Sequence, residues 1–80
     1  MKTVVVLGGS GIFGGRIAQA LAQGGGLRIV VTGRNAEHGA RKAAEIGAEF
    51  VRCDLSVDGS LPALFAETTP DLLIHCAGPF

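Results

Sequence analysis

The chain has 80 residues, of which 48% are apolar and 18% charged, and seven basic residues balance seven acidic ones. A domain usually takes about 100 to 200 residues, so this length allows one small domain and excludes a second, substrate-binding domain. Without a basic surface, we expect neither nucleic acid nor a membrane as a partner. Glycine is the unusual residue type, at 13 of 80, and its two clusters indicate tight backbone turns.

The two cysteines, Cys53 and Cys76, lie in apolar segments without CxxC spacing. This pattern argues against a zinc site and against a disulfide framework, so we expect two packing residues in a reduced, cytoplasmic protein. The apolar run at residues 4–7 ends at the first glycines. It is too short for a signal peptide or a membrane span.

The first two predicted elements are a strand and a helix joined by glycines. Residues 3–7 read TVVVL, an uninterrupted β-branched run that is typical of a strand covered on both faces. Apolar residues then recur at spacings of three to five, which predicts an amphipathic helix over residues 11–23. The glycine run at residues 24–26 ends this helix.

The same alternation continues after that glycine run. Residues 27–32 read LRIVVT and predict the second strand. Asn35 is expected to cap a helix over residues 36–46, because its side-chain oxygen can accept from the first free amides. Gly47 ends that helix, and residues 49–52 predict a short third strand.

The last two predicted elements are a short helix and a strand. Ser60 is expected to cap a helix of one or two turns. Its inner face would carry Leu61, Leu64 and Phe65. Residues 71–76, DLLIHC, predict the fourth strand.

This order of elements predicts an α/β fold with an open, doubly wound parallel sheet. Right-handed crossovers place its four strands in the order 3-2-1-4. The chain stops directly after the fourth strand, so we expect residues 1–80 to be a partial N-terminal domain, a truncated half of a larger one without its substrate domain. Apolar surface left bare on that strand predicts self-association.

The segment between the first strand and the first helix, GGSGIFGG, carries the main functional signal. Gly9, Gly11 and Gly14 form G-x-G-x-x-G, while Gly8, Gly11 and Gly14 form G-x-x-G-x-x-G. Such a turn brings the backbone close to a pyrophosphate at the positive end of a helix. We therefore predict a Rossmann-type dinucleotide-binding turn, with a ligand-free glycine turn as the alternative. The missing Gly-Lys-Ser/Thr sequence excludes a nucleoside-triphosphate loop.

The end of the second strand selects the dinucleotide. A carboxylate there accepts from the ribose 2′-hydroxyl of NAD, whereas an arginine pairs with the 2′-phosphate of NADP. No acidic residue occurs between Leu27 and Ala36, and Arg34 lies in this stretch. We therefore expect NADP rather than NAD, with a solvated role for Arg34 as the alternative.

The end of the third strand offers a candidate adenine contact. Asp54 lies where an adenine is placed in this topology, and its carboxylate can accept from the amino group. An equally good interpretation is that Asp54 caps the following turn. We expect a structural role for His75 and a solvated one for His38, and we predict no catalytic residue and no metal ligand.

Together, GGSGIFGGRIAQALA, VVTGRN, VRCDLS and HCAGPF resemble the NADP-binding N-terminal domain of the saccharopine dehydrogenase (saccharopine reductase-like) family. The glycine turn is shared with many Rossmann proteins, and the C-A-G-P-F ending is the more specific mark. The resemblance implies an oxidoreductase whose full-length form transfers a hydride on an amine or imine of an amino-acid-type substrate. His75 departs from the asparagine that this family more often carries.

The resemblance also implies which residues bind the cofactor. The glycine turn would hold the pyrophosphate, Arg34 the 2′-phosphate, and residues 54–55 would flank the adenine. Residues 76–79 would run beside the nicotinamide ribose. The candidate cofactor residues are Gly8, Gly9, Ser10, Gly11, Ile12, Phe13, Gly14, Arg34, Asp54, Leu55, Cys76, Ala77 and Gly78.

Two other functions remain open. An atypical short-chain dehydrogenase shares the G-x-x-G-x-x-G turn and an Asp-Leu after the third strand, but it uses a tyrosine and a lysine for catalysis. This chain has no tyrosine. The second alternative is a non-catalytic NADP-sensing module, whose ligand changes an interaction surface.

Overall fold

A computed structural model describes residues 1–9 and 12–76, with the backbone alone at residues 12 and 13. Strands and helices alternate through this part of the chain. They are β1 (Lys2–Leu7), α1 (Ile12–Gly24), β2 (Leu27–Gly33), α2 (Ala36–Ile46), β3 (Glu49–Arg52), α3 (Ser60–Thr68) and β4 (Leu72–His75). The predicted alternation is confirmed.

The four strands form one parallel sheet in the order β3-β2-β1-β4, as predicted. β1 lies between its two partners, with Val6 beside Val31 of β2 and Leu7 beside His75 of β4. Because all pairings are parallel, the carboxyl ends of the strands meet at one edge of the sheet. We call this the carboxyl edge.

The helices cover the two faces of the sheet. α1 and α2 lie on one face and α3 lies on the other, which explains why the β1 run lacks polar alternation. The buried core of the first face consists of Val4, Val6, Ala18, Ile29, Val31 and Ala43. The buried core of the second face consists of Val5, Leu7, Val30, Cys53 and Leu64.

The ends of α2 match the predicted caps. The Asn35 side chain accepts a hydrogen bond from the His38 amide at 3.0 Å. Gly47 has a φ of 74°, and its amide donates to carbonyls of the last helical turn. Both ends of α2 are thus fixed by local sequence.

α3 differs from the prediction at its start. Gly59, with a φ of 84°, is the N-cap, and Ser60 is the first residue of a nine-residue helix. Because the left-handed turn falls one residue early, the Ser60 side chain does not cap the helix. Its buried hydroxyl oxygen has no hydrogen-bond partner among the described residues.

The inner face of α3 is also narrower than predicted. Leu64 is buried against the sheet, and Leu61 packs at the border of the same cluster. Phe65 is 38% exposed, because it projects to the side, where it borders an open cavity with Leu72 and Leu73 of β4. The prediction that Phe65 lies on the inner face was wrong.

Polar contacts close the amino edge of the sheet, opposite the carboxyl edge. The Thr3 amide donates to Asp71 Oδ2 at 2.8 Å, and the Asp71 amide donates to the Thr3 carbonyl at 2.9 Å. Arg28 donates to both carboxylate oxygens of Glu49, at 2.7 and 3.0 Å, and to the Thr68 carbonyl at 3.4 Å. The pKa of Glu49 is lowered by its hydrogen bond from Arg28.

Both cysteines are free thiols. Cys53 is buried beneath α3, the packing position that we predicted. Cys76 is half-buried at the border of the opposite cluster. Within the described ranges, no helix is long and apolar enough to cross a membrane.

Candidate dinucleotide-binding site

The carboxyl edge brings together the predicted cofactor residues that the structure describes. The glycine turn follows β1, Arg34 follows β2, and Asp54 comes shortly after β3. Cys76 follows β4, and its amide donates to the Leu7 carbonyl at 2.8 Å. Ligands of open α/β sheets bind at this edge, where the strand order reverses.

Two hydrogen bonds hold the start of the glycine turn. The Gly8 amide donates to Thr32 Oγ1 of β2 at 3.3 Å, and the Gly9 amide donates to the Val6 carbonyl at 3.1 Å. Gly8 has a φ of 75°, a conformation that favours glycine. The turn is therefore tied to both central strands.

Two glycines of the pattern are also required by lack of space. A Cβ atom on Gly9 would lie 2.7 Å from the Cβ of Val31. One on Gly14 would overlap the Gly8 carbonyl oxygen and lie 2.9 Å from the Gly9 Cα. One on Gly15 would meet the Gly9 carbonyl oxygen at 3.5 Å, an ordinary contact. α1 thus packs directly on the backbone of the turn through Gly14.

Part of the predicted cofactor set lies outside the described residues. These residues are Ser10, Gly11, Ala77 and Gly78, with the side chains of Ile12 and Phe13. Their cofactor contacts stay predictions. The backbone of α1 begins at Ile12, so a helix starts close behind the turn.

Two arginines lie at the carboxyl ends of β2 and β3. Arg34 is exposed in the loop between β2 and α2. Arg52 pairs with Gly33 in the sheet register, and its Nε donates to the Arg34 carbonyl oxygen at 3.0 Å. Neither guanidinium forms an ion pair with a described carboxylate.

Asp54 caps the turn that follows β3. Its Oδ1 accepts from the Ser56 hydroxyl at 2.6 Å and from the Ser56 amide at 3.0 Å. These hydrogen bonds lower the pKa of Asp54, and the charges of Arg34 and Arg52 lower it further. The structure therefore shows the turn-capping role. Leu55, next along the chain, is 40% exposed and offers an apolar surface there.

A groove of about 430 Å³ opens between α1 and α2. It meets the glycine turn at Gly9, its floor includes Val31, and its rim includes Arg16, Gln19 and Lys42. The groove extends the carboxyl-edge site between the two helices. No three His, Cys, Asp or Glu side chains of the described ranges are grouped as metal ligands.

Sequence reasoning missed Thr32 and Arg52. Thr32 reads as one more β-branched residue of a buried strand, and its contact with Gly8 depends on how β1 and β2 are paired. Arg52 reads as a solvated residue at the end of a strand. The pairing of β2 with β3 places Arg52 beside Gly33, and therefore next to Arg34, and the sequence alone does not give this register.

The fold and this turn define a Rossmann-type domain that binds a nicotinamide dinucleotide, of the kind found in oxidoreductases. The sequence matches the NAD dependent epimerase/dehydratase family over residues 4–80. The chain belongs to this family. Among curated proteins, none matches the sequence significantly.

Solved structures share the fold. A short chain dehydrogenase/reductase family protein is 36% identical with a TM-score of 0.90, over 99% of this chain and 34% of that one. Pseudomonas aeruginosa RhlG, in an NADP active-site complex, is 28% identical with a TM-score of 0.86, over 98% of this chain and 35% of that one. The present chain thus spans about a third of the length of either protein.

Saccharopine dehydrogenase of Saccharomyces cerevisiae also matches, with 23% identity and a TM-score of 0.81 over 98% of this chain and 17% of that one. A likeness at this identity shows the fold alone. The predicted resemblance is therefore confirmed as far as the Rossmann domain. Most of its specific mark, C-A-G-P-F, lies outside the described residues.

Proposed function

We propose that the chain is the NADP-binding portion of an oxidoreductase. The observation that carries the cofactor choice is Arg34, an exposed arginine without a carboxylate partner among the described residues, directly after β2. The stretch from Leu27 to Ala36 has no acid for the 2′-hydroxyl of NAD. The complex of the similar protein RhlG with NADP supports this choice.

The glycine turn binds the pyrophosphate in this proposal. Glycine at positions 9 and 14 lets the turn pack tightly against β2 and α1, and this tight turn brings the positive end of α1 toward the phosphate oxygens. Thr32 fixes the Gly8 amide by accepting its hydrogen bond. These groups bind and orient the cofactor, which supplies or accepts the hydride.

The adenine lies against Leu55 in the same proposal, and Asp54 accepts from its amino group. Oδ1 of Asp54 is already engaged by Ser56, so this contact uses Oδ2. The Asp54 carboxylate is ionised at neutral pH, and its hydrogen bonds from Ser56 lower its pKa further, which suits an acceptor. Cys76 and residues 77–78 run beside the nicotinamide ribose.

The chemistry that we propose is hydride transfer, in one of two substrate classes. Structures at 36% and 28% identity favour the short-chain dehydrogenase type. The HCAGPF motif favours transfer on an amine or imine of an amino-acid-type substrate. A Tyr-x-x-x-Lys sequence encoded after Phe80 would favour the short-chain dehydrogenase type. Turnover of keto but not imine substrates by the full-length protein would favour the same type.

The choice between NADPH and NADH tests the role of Arg34. We expect the chain to bind NADPH more tightly than NADH, and Arg34→Ala to remove most of this preference, because a hydrogen-bonded charge pair contributes about 1.5–3 kcal/mol. Isothermal titration calorimetry with both dinucleotides measures this. Arg41→Ala is the matched control, since Arg41 pairs only weakly with Glu37 at 3.7 Å on the outer face of α2.

Three results separate the competing proposals. Equal binding of NADPH and NADH would leave the turn functional and contradict the role of Arg34. Binding of neither dinucleotide, by this chain and by the full-length protein alike, would favour a glycine turn without a ligand. A full-length protein that binds NADPH and changes its oligomeric state, but turns over no keto or imine substrate, would favour the NADP-sensing module.

A further inference from the structure

A second arginine, Arg52, lies beside Arg34 at the carboxyl edge of the sheet. Arg52 is the last residue of β3, and its register partner Gly33 directly precedes Arg34. The Cys53 amide donates to the Gly33 carbonyl at 3.0 Å, which continues the strand pairing past Arg52. Arg52 is therefore held by β3, and Arg34 lies in the loop directly after the neighbouring strand β2.

The hydrogen bond between them fixes one end of the Arg52 guanidinium. Its Nε donates to the Arg34 carbonyl oxygen at 3.0 Å. A guanidinium carries five N–H donors in a planar fork, and this bond uses one of them. The two Nη groups therefore remain as donors at the loop that carries Arg34.

The neighbouring carboxylates leave both positive charges largely uncompensated. Asp54 Oδ1 is engaged by Ser56, and although Asp54 lies near enough for both arginines to lower its pKa, it forms an ion pair with neither. Glu37, in the first turn of α2, pairs with Arg41. Two arginines at neighbouring strand ends, shortly before the start of α2, favour a dianion.

We propose that Arg52 is a second specificity-determining residue, which forms with Arg34 a paired-guanidinium site for the 2′-phosphate of NADP. This inference rests on the proposed function, because it requires NADP as the cofactor. A phosphate monoester carries close to two negative charges at neutral pH and accepts forked hydrogen bonds from arginine. Arg34 and Arg52, one at the end of each strand, supply the two positive charges that balance it.

The test is a pair of substitutions in the full chain, Arg52→Gln and Arg52→Lys, titrated with NADPH and with NADH. We expect Arg52→Gln to weaken NADPH binding about tenfold or more and to leave NADH binding unchanged. Arg52→Lys keeps the charge but loses the Nε hydrogen bond, so we expect it to restore a large part of NADPH affinity. Arg41→Gln controls for the loss of one positive charge elsewhere.

Each result decides the matter. If the wild type prefers NADPH and Arg52→Gln keeps that preference, the paired site is wrong and the proposed function stands. If Arg52→Lys is as weak as Arg52→Gln, Arg52 only supports the loop of Arg34, and a direct phosphate contact is wrong. If the wild type binds neither dinucleotide or both equally, the NADP proposal fails and the paired site with it. A thermal melt of each variant verifies that it is folded.

Discussion

At the scale of single residues, Gly14 shows how a missing side chain lets a helix pack directly on a backbone turn. It allows α1 to rest on the backbone of Gly8 and Gly9. That backbone cannot easily shift, since Thr32 and Val6 hold the two amides from β2 and β1. Gly15, one position later on the same helix, has no such constraint.

We therefore expect Gly14→Ala to destabilise the fold by about 1–3 kcal/mol, the usual range for a group forced into packed structure. It should also weaken NADPH binding, because the turn must open to admit the methyl group. Urea unfolding and calorimetry measure the two effects. Gly15→Ala is the matched control and should be neutral or slightly stabilising, since alanine favours a helix. Equal losses in both variants would contradict this account.

Single residues also show what the sequence could and could not predict about the site. The glycine spacing located the turn, because the tight backbone turn and the close packing around it require glycine locally. Arg34 and Asp54 were located by their distance from a strand end. Thr32 and Arg52 were not found, since their contacts depend on which strands are neighbours and in what register. Asp54 had two possible roles, and only the geometry of Ser56 showed that it caps the turn.

At the scale of elements, α2 and β3 approach each other more closely than ordinary side chains allow. A Cβ atom on Gly39 would overlap the Phe50 ring. Phe50 packs against the buried cluster of this face, so its ring has little freedom to move away. The contact sets the distance of α2 from the sheet and, with it, the position of the loop that carries Arg34.

Gly39→Ala should therefore destabilise the fold, although the same change in an exposed helix stabilises by about 1 kcal/mol. We expect a net loss of about 1–2 kcal/mol from the displaced ring. Gly24→Ala, near the end of α1, is the control, because nothing lies within 4 Å of its added methyl group. Thermal unfolding compares them, and a Gly39→Ala variant at least as stable as Gly24→Ala would refute the close contact.

Elements bounded by strong local signals were predicted best. Asn35 and Gly47 fix both ends of α2 through their own side-chain and backbone preferences. α3 has no such signal at its start, where Gly59 and Ser60 are both plausible caps. Its outward residue, Phe65, is apolar like the inner ones, so sequence pattern did not separate them. Only the placement of α3 over β1 and β2 does so.

At the scale of the whole molecule, helices cover both faces of the sheet, but the edge formed by β4 leaves apolar side chains exposed. β4 ends the strand order, and Leu72 is 53% exposed beside Phe65. An edge strand with bare apolar residues readily pairs with another chain. We propose that a second copy of the chain covers this edge.

The expected result is concentration-dependent self-association in sedimentation velocity. Leu72→Lys should shift the protein toward monomer, because a charge on an edge strand opposes pairing. Val57→Lys is the control, as Val57 is similarly exposed, at 56%, but lies before α3. A wild type that stays monomeric at high concentration would exclude this interface, and equal effects of the two lysines would show that it lies elsewhere.

The central position of β1 also implies that β1 pairs with β2 before it pairs with β4. β1 comes before the other three described strands in the sequence, yet its second neighbour is β4, the last of the four. The contact between Thr3 and Asp71 joins residues 68 positions apart. Closing so long a loop costs more entropy than pairing β1 with β2, and slow, distant pairings dominate folding rates. A nascent chain therefore carries a half-covered β1 until almost all of these residues have left the ribosome.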